Sequence, residues 1–341
     1  MSDKYFGDVI GNRTLTERLS RDIRENKLAH AYILEGPRGS GRHTLALNAA
    51  AALCCEKEGD SIPCKRCRNC EKIFGSKSPD VITVGLEDDK SFIGIETVRF
   101  LCNDIHVAPN DLKIKVYIIE DADLMTIQAQ NAFLLSLEEP PSYILFFLLC
   151  ENSTNLLETV RSRAPSLRTE KLSADQVEDY LLAHEKKAVE LKETNAADFK
   201  TLISVSAGSI GYAIELLDAR KRKQIFEYRK TAEKLITMLS SRSKQGAIEA
   251  ISLFGNKRAD VLKQISFLQY AIRDLLLLKK HDEAPLCFFE DRESANELST
   301  HFTATGLFAL YDASVIATAD LEANANVRLT VMNMMRSAKL I

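Results

Sequence analysis

No apolar run in this 341-residue chain is long enough to cross a membrane. The longest, Tyr143 to Cys150, stops far short of the roughly 20 residues that a spanning helix needs. Charge of one sign is equally scarce: 45 basic side chains face 48 acidic ones, for a net charge of −3. A global basic field for nucleic acid is therefore excluded, and any contact with DNA must be local. Met1-Ser2-Asp3-Lys4 shows no apolar signal segment, and no internal repeat, low-complexity stretch or polymerase motif is visible. These absences lead to the expectation of a cytoplasmic protein with no membrane partner. What is present, 45% hydrophobic and 27% charged residues, is the composition of a soluble globular protein with room for two or three domains.

Two further absences fall within Gly36 to Thr44, Gly-Pro-Arg-Gly-Ser-Gly-Arg-His-Thr. An apolar run, Ala31 to Leu34, precedes it and an alanine-rich segment, Leu45 to Leu53, follows. That is the strand, glycine loop, helix order in which backbone N–H groups cradle a polyphosphate. Gly36 and Gly41 have the spacing of GxxxxGK[ST], with Gly39 between them, but the lysine and the hydroxyl are missing. Arg42 keeps the charge on a wider, planar fork. His43 is no oxygen ligand for Mg²⁺, and the hydroxyl of Thr44 comes one residue late, about 100° around the helix. The loop reads as a nucleotide-binding scaffold with weakened chemistry.

Eight cysteines in such a chain point to thiols and metal rather than disulfides. Cys55, Cys64, Cys67 and Cys70 are spaced C-x₈-C-x₂-C-x₂-C in a polar segment turned by Pro63. Four thiolates at this spacing suit a closed, structural tetrahedral Zn²⁺ site. Cys54 competes with Cys55 for first ligand, and the sequence leaves both open. Cys102, Cys150 and Cys287 read as buried small apolar residues.

Helices and strands alternate through the first half. Thr14 to Glu17 has capping-box spacing ahead of Leu15, Leu19 and Ile23, which predicts an amphipathic helix. Val81–Val84, Val116–Ile119 and Ile144–Leu149 read as strands, and Ile95–His106 and the segment after Thr126 as helices. The strand at Val116 runs into Glu120 and Asp121, at the carboxyl end of a buried strand, where open α/β folds bind ligands. A hydrolysing site wants Asp then Glu there, and this inversion displaces each carboxylate by about the length of a bond, enough to cost on the order of 10²-fold in rate. From Lys171 the pattern becomes helical: Ser173 to Gln176 is a second capping box, with helices through Leu182, Ala196–Val205 and Ser209–Leu217. A long apolar stripe follows over Val261–Lys280, and Asn324 to Arg328 opens a last helix. Lys221-Arg222-Lys223 reads as a solvated helix face.

Lys115 to Pro141, KVYIIEDADLMTIQAQNAFLLSLEEPP, followed by Thr159-Val-Arg-Ser-Arg163, resembles the AAA+ domain of bacterial clamp-loader subunits, the delta-prime and gamma/tau subunits of DNA polymerase III. His30-Ala31-Tyr32 and the four-cysteine insert belong to the same pattern. The resemblance implies an α/β AAA+ P-loop domain over 1–170, a parallel sheet flanked by helices with a zinc module at 55–70. It further implies a small helical lid over 171–220 and an all-helical oligomerisation collar over 221–341. Ser162 and Arg163 match the family's Ser-Arg-Cys motif, with Ala164 in place of Cys, which makes Arg163 an arginine finger reaching a neighbour's ATP. Gly211 stands where the family's ATPases carry a phosphate-sensing Arg. With Arg42, His43 and the Glu120-Asp121 inversion, this favours the non-motor delta-prime type over a self-sufficient gamma/tau-type ATPase. The implied partners are gamma/tau and delta subunits in a ring of five, with the sliding clamp and primed DNA met through the complex. Structural zinc is the expected cofactor, with ATP or ADP bound weakly or not at all. A zinc-ribbon nucleic-acid binder is the remaining class, and the acidic balance and the α/β setting of the cysteines weigh against it.

Overall fold

The computed structural model of the chain describes residues 5–6, 9–57, 59, 61–87, 90–241, 244–280, 286–289 and 291–338, with the side chains of 244 and 247 left aside. The segment Met1 to Lys4, on which the absence of a signal was read, lies outside them. Two compact units are present: residues 1–180 with 208–212, and residues 181–207 with 213–341.

The first unit is built on five parallel strands, β1 (Ala31–Glu35), β2 (Val81–Val84), β3 (Lys115–Ile119), β4 (Ile144–Cys150) and β5 (Ser166–Arg168). Their order across the sheet is β2-β3-β4-β1-β5. The three central strands are buried at every position. Helices cover both faces, which is why these strands read as unbroken β-branched and aromatic runs rather than alternations. Successive side chains still go to opposite sides. Tyr32, Leu34, Val116, Ile118, Phe147 and Leu149 join one apolar cluster, and Ile33, Tyr117, Ile119, Phe146 and Leu148 the other. The first cluster is closed by α1 (Arg13–Arg24), α2 (Arg42–Cys54) and α3 (Arg68–Phe74). The second is closed by α4 (Ile95–Asp104), α5 (Ile127–Glu138) and the short α6 (Glu158–Arg161). Phe133 of α5 meets Phe146 edge to face with ring centroids 5.0 Å apart.

Several local signals hold. Thr126 caps α5 by accepting from Ala129 N at 3.2 Å. Ser173 and Gln176 form a reciprocal capping box at 2.9 and 3.2 Å, ahead of α7 (Ala174–His184). The first capping box does not form. Asn12, in a left-handed conformation, is the N-cap of α1, so Thr14 already lies inside the helix. Its open N–H groups are met from far away: Arg13 N and Thr14 N donate to the Glu170 carboxylate at 3.2 and 3.3 Å. Glu170 N in turn donates to Asn12 Oδ1 at 2.7 Å. Glu170 thus supplies the negative charge that the positive end of a helix favours.

The second unit is helical: α8 (Lys186–Thr194), α9 (Ala196–Ser206), α10 (Ile210–Leu216), α11 (Ala219–Ser240), α12 (Lys244–Leu253), α13 (Arg258–Leu278), α14 (Arg292–Thr300), α15 (Ala304–Glu322) and α16 (Val327–Ser337). The first residues of α10 belong to the α/β unit. Asp274 is buried on α13, and its carboxylate accepts from the backbone of Cys287, Phe288 and Phe289. Leu307, Leu310, Ala317 and Leu321 of α15 are core residues. Phe308, Val315 and Ile316 of the same helix are exposed, Ile316 to 61%. No single helix among the described residues is long and apolar enough to cross a membrane.

Candidate nucleotide loop, cysteine cluster and arginine

β1 is buried to its end, and the chain leaves it at Gly36, whose N–H donates to Cys150 O at 3.0 Å. The loop then turns through Gly39 and Gly41, both at positive φ (78° and 87°), a conformation open to glycine at little steric cost. Gly41 is the N-cap of α2 and offers no side chain, and no acidic residue stands in the first turn. The leading N–H groups of α2 therefore have no side-chain cap to accept from them.

Arg42 is only 8% exposed, and its Nη1 is buried without a hydrogen-bond partner. His43 Nδ1 stands 2.7 Å from Glu120 Oε1, although off the line of an aligned hydrogen bond. The interaction with His43 holds the Glu120 carboxyl below its usual range, aided by the charges of Arg42 and Arg38 against the opposing effect of burial. Thr44 is exposed. Asp121 takes a left-handed conformation, φ 48°, to start the 3₁₀ turn Ala122–Leu124. Asp123, which the sequence did not single out, accepts from Glu151 N and Asn152 N at 3.2 and 3.3 Å and ties the end of β4 to this turn.

The fold implies a nucleotide-bound Mg²⁺ between α2 and the end of β3, and the side chains there do not suit one. A hard cation wants oxygen ligands. His43 offers nitrogen, and Glu120 is already engaged by His43 and lies in the field of two arginines.

The turn Gly208–Tyr212 sits on the loop. Ser209 Oγ donates to Arg38 O at 3.2 Å and Gly211 N to Gly39 O at 3.0 Å. A Cβ at position 211 would lie 2.7 Å from Gly39 Cα, so the missing side chain follows from this close backbone approach. We expect Gly211→Ala to destabilise the protein by about 1–3 kcal/mol, the range for overpacking. A melting curve of the purified variant checks this, and an unchanged midpoint would mean that the turn can lift off the loop.

The four predicted cysteines come together. The sulfurs of Cys55, Cys64, Cys67 and Cys70 all lie within 4.8 Å of one another. The choice between Cys54 and Cys55 is made by the end of α2. Cys54 is its last residue and faces the core, 3% exposed, where burial pushes its thiol up to about 11. Cys55 leaves the helix in extended conformation and reaches the cluster. Cys67 N donates to Cys64 Sγ at 3.3 Å and Cys70 N to Cys67 Sγ at 3.5 Å, making Cys67 the N-cap of α3. The Arg66 and Cys67 backbone N–H groups draw Cys64 down to about 6, while burial and the neighbouring Cys67 drive Cys70 upward. Such a group cannot hold four thiolates without a cation, and the donor set fits tetrahedral zinc. Among the others, Cys150 is fully buried, but Cys102 and Cys287 are partly exposed, a departure from the sequence expectation. Both lie beside polar groups: Ser136 Oγ donates to Cys102 Sγ at 3.2 Å, and Arg273 Nη1 stands 3.0 Å from Cys287 Sγ.

Arg163 follows α6. Its Nη2 pairs with Glu138 Oε1 at 2.5 Å, and its Nη1 donates to Thr159 O at 2.8 Å and to Ser162 Oγ at 3.3 Å. None of these partners is a phosphate-loop residue. Ala164, in the position of the motif's Cys, is 1% exposed and packs in the second core cluster. Glu138 was invisible as a partner in the sequence, where it reads only as the end of a helix.

A glycine loop between β1 and α2, and acidic residues at the end of β3 in a sheet of order 2-3-4-1-5, define a P-loop protein of the AAA+ class. Residues 11–173 match the family described as DNA polymerase III, delta subunit. The chain is 26% identical to the DNA polymerase III subunit tau of Bacillus subtilis over 90% of its own length and 56% of the relative's. It is 30% identical to subunit gamma of Buchnera aphidicola subsp. Schizaphis graminum over 62% of this chain and 57% of that one. Against subunit delta' of Bacillus subtilis it is 34% identical over 48% and 49%. A solved gamma subunit-related protein of Thermotoga maritima superposes with a TM-score of 0.45 at 20% identity, over 94% of this chain and 98% of that one. The chain is similar to subunits of the DNA polymerase III clamp loader, most clearly over residues 11–173, and it spans rather more than half the length of the first curated relatives it matches.

Proposed function

We propose that this chain is a non-motor, delta-prime-like subunit of the replicative clamp loader. In this role it offers Arg163 to ATP held by a neighbouring gamma/tau-type subunit while the sliding clamp is loaded on primed DNA. The observation that carries the reading is the His43–Glu120 pair at 2.7 Å. It ties up one oxygen of the strand-end carboxylate that Mg²⁺ would use, with a nitrogen where a hydroxyl ligand belongs, and Arg42 and Gly211 remove two further elements of a working site. The phosphate loop, Gly36, Gly39, Gly41, Arg42 and Thr44 with Glu120 and Asp121, is then a retained scaffold with weak or no affinity for Mg²⁺-ATP. Residues 171–220 serve as a lid and 221–341 as the collar that joins gamma/tau and delta partners in a hetero-oligomeric ring. The exposed Phe308, Val315 and Ile316 on α15 and Leu329 and Met332 on α16 support a docking face there. Zinc on Cys55, Cys64, Cys67 and Cys70 is structural, because four thiolates leave no open coordination position.

The test is a turnover assay on the isolated, zinc-replete chain with Mg²⁺-ATP. No turnover is expected. Turnover that disappears with Arg42→Ala would make this chain a motor of the gamma/tau type instead.

A further inference from the structure

The phosphate loop retains the parts that hold an anion while losing those that hold a metal. The first turn of α2, a helix of 13 residues, has no side-chain cap and no acidic residue. Arg42, in that first turn, is more than nine-tenths buried, and its Nη1 has no partner. It lies close enough to Glu120 to lower that carboxyl, so its charge sits at the carboxyl end of the sheet beside the loop. A buried guanidinium nitrogen without an acceptor is costly unless an acceptor arrives.

An anion entering such a loop would ordinarily meet repulsion from the strand-end carboxylate, and a bound Mg²⁺ cancels it. Here His43 Nδ1 stands 2.7 Å from Glu120 Oε1, in the place from which an imidazolium would do so. A metal brought in with the anion has to share this carboxylate with the imidazole and compete for it with the charges of Arg42 and Arg38.

We propose that the loop from Gly36 to Thr44 binds phosphoanions without metal. In this site Arg42 and the α2 N-terminus hold the phosphate oxygens, and the His43–Glu120 pair stands in for Mg²⁺. The site takes a phosphoanhydride group, whether free or at the end of a nucleotide. This deepens, and rests on, the reading of the loop as non-catalytic.

The experiment is calorimetric titration of the zinc-loaded full chain with pyrophosphate, and separately with ADP, in buffer without added Mg²⁺ and again with excess Mg²⁺. Pyrophosphate is expected to bind in the metal-free buffer and more weakly when Mg²⁺ is present. Arg42→Gln should weaken metal-free binding about tenfold or more, the effect of one lost charge-assisted contact. His43→Thr, which supplies a hydroxyl and frees Glu120, should turn binding Mg²⁺-dependent. Zinc content and melting midpoint confirm that each variant is folded, and the wild-type comparison with and without Mg²⁺ needs no variant. Tighter ADP than pyrophosphate binding identifies a nucleotide as the preferred carrier, and equal binding identifies the anhydride alone. Both support the site. Binding only with Mg²⁺, binding in neither buffer, or unchanged affinity in folded Arg42→Gln overturns it. Failure here leaves the absence of ATP turnover untouched, whereas turnover by the isolated chain overturns the non-motor reading whatever the pyrophosphate result.

Discussion

Replacing Cys70 with Ser should abolish zinc binding and unfold at least the segment from Cys55 to Phe74. Cys70 is fully buried, its sulfur is one of four within 4.8 Å, and it lies in the apolar cluster that also holds Ile73 and Leu45. A hydroxyl is a poor substitute for thiolate at zinc, and without the metal the remaining thiols must protonate in a partly buried pocket. Structural zinc contributes about 10–16 kcal/mol to small zinc peptides. The present site is attached to a sheet with its own core, so a smaller loss, on the order of 5 kcal/mol, is expected from the combined loss of metal and packing. Zinc quantitation and a melting curve measure both parts. Cys54→Ser provides the contrast, because Cys54 faces the core rather than the cluster, and that variant should keep its metal. A wild-type protein that folds without zinc, or a Cys70→Ser protein with an unshifted midpoint, would remove the structural role of the site.

Arg163→Ala should slow ATP turnover by a complex reconstituted with gamma/tau-type and delta partners by about 10³-fold, the lower end of the range for fingers acting in trans. The variant should fold and assemble normally. The Arg163 and Glu138 side chains are 34% and 44% exposed, and ion pairs of that kind are worth about 0–1 kcal/mol. The loss therefore falls on turnover and spares stability. Arg163→Lys should recover little, since an ammonium lacks the planar fork that spans two phosphoryl oxygens. An unchanged rate in an intact Arg163→Ala complex would end the assignment and leave Arg163 as one half of a surface ion pair.

The sheet was legible because β3 and β4 are buried on both faces and carry dense β-forming side chains. β5 escaped because it has three residues, and Ser166 and Arg168 are exposed. α8 escaped because it is short and begins with Lys186 and Lys187. The spacing Thr14–Glu17 misled because the acceptor that meets the α1 N-terminus is Glu170, a contact no local window contains. At the site, the cysteine spacing named the cluster, and the end of α2 decided between two adjacent thiols. The altered loop residues were visible one by one. The pairing of His43 with Glu120 was not, since it depends on β3 and α2 meeting across the sheet. Gly211 was noticed for the side chain it lacks, and the reason, a backbone contact with Gly39, exists only in three dimensions.

The contact between Asn12 and Glu170 bridges 158 positions of chain. Ribosomal synthesis proceeds from the N-terminus, so α1 is made long before the residue that caps it. Until Glu170 has emerged, the helix start lacks its carboxylate. A nascent chain stalled just short of that point carries all five strands but a frayed first helix, a form more vulnerable to proteases. Emergence of a single glutamate completes the start of α1, and because the contact joins distant parts of the chain, it belongs among the late events of folding.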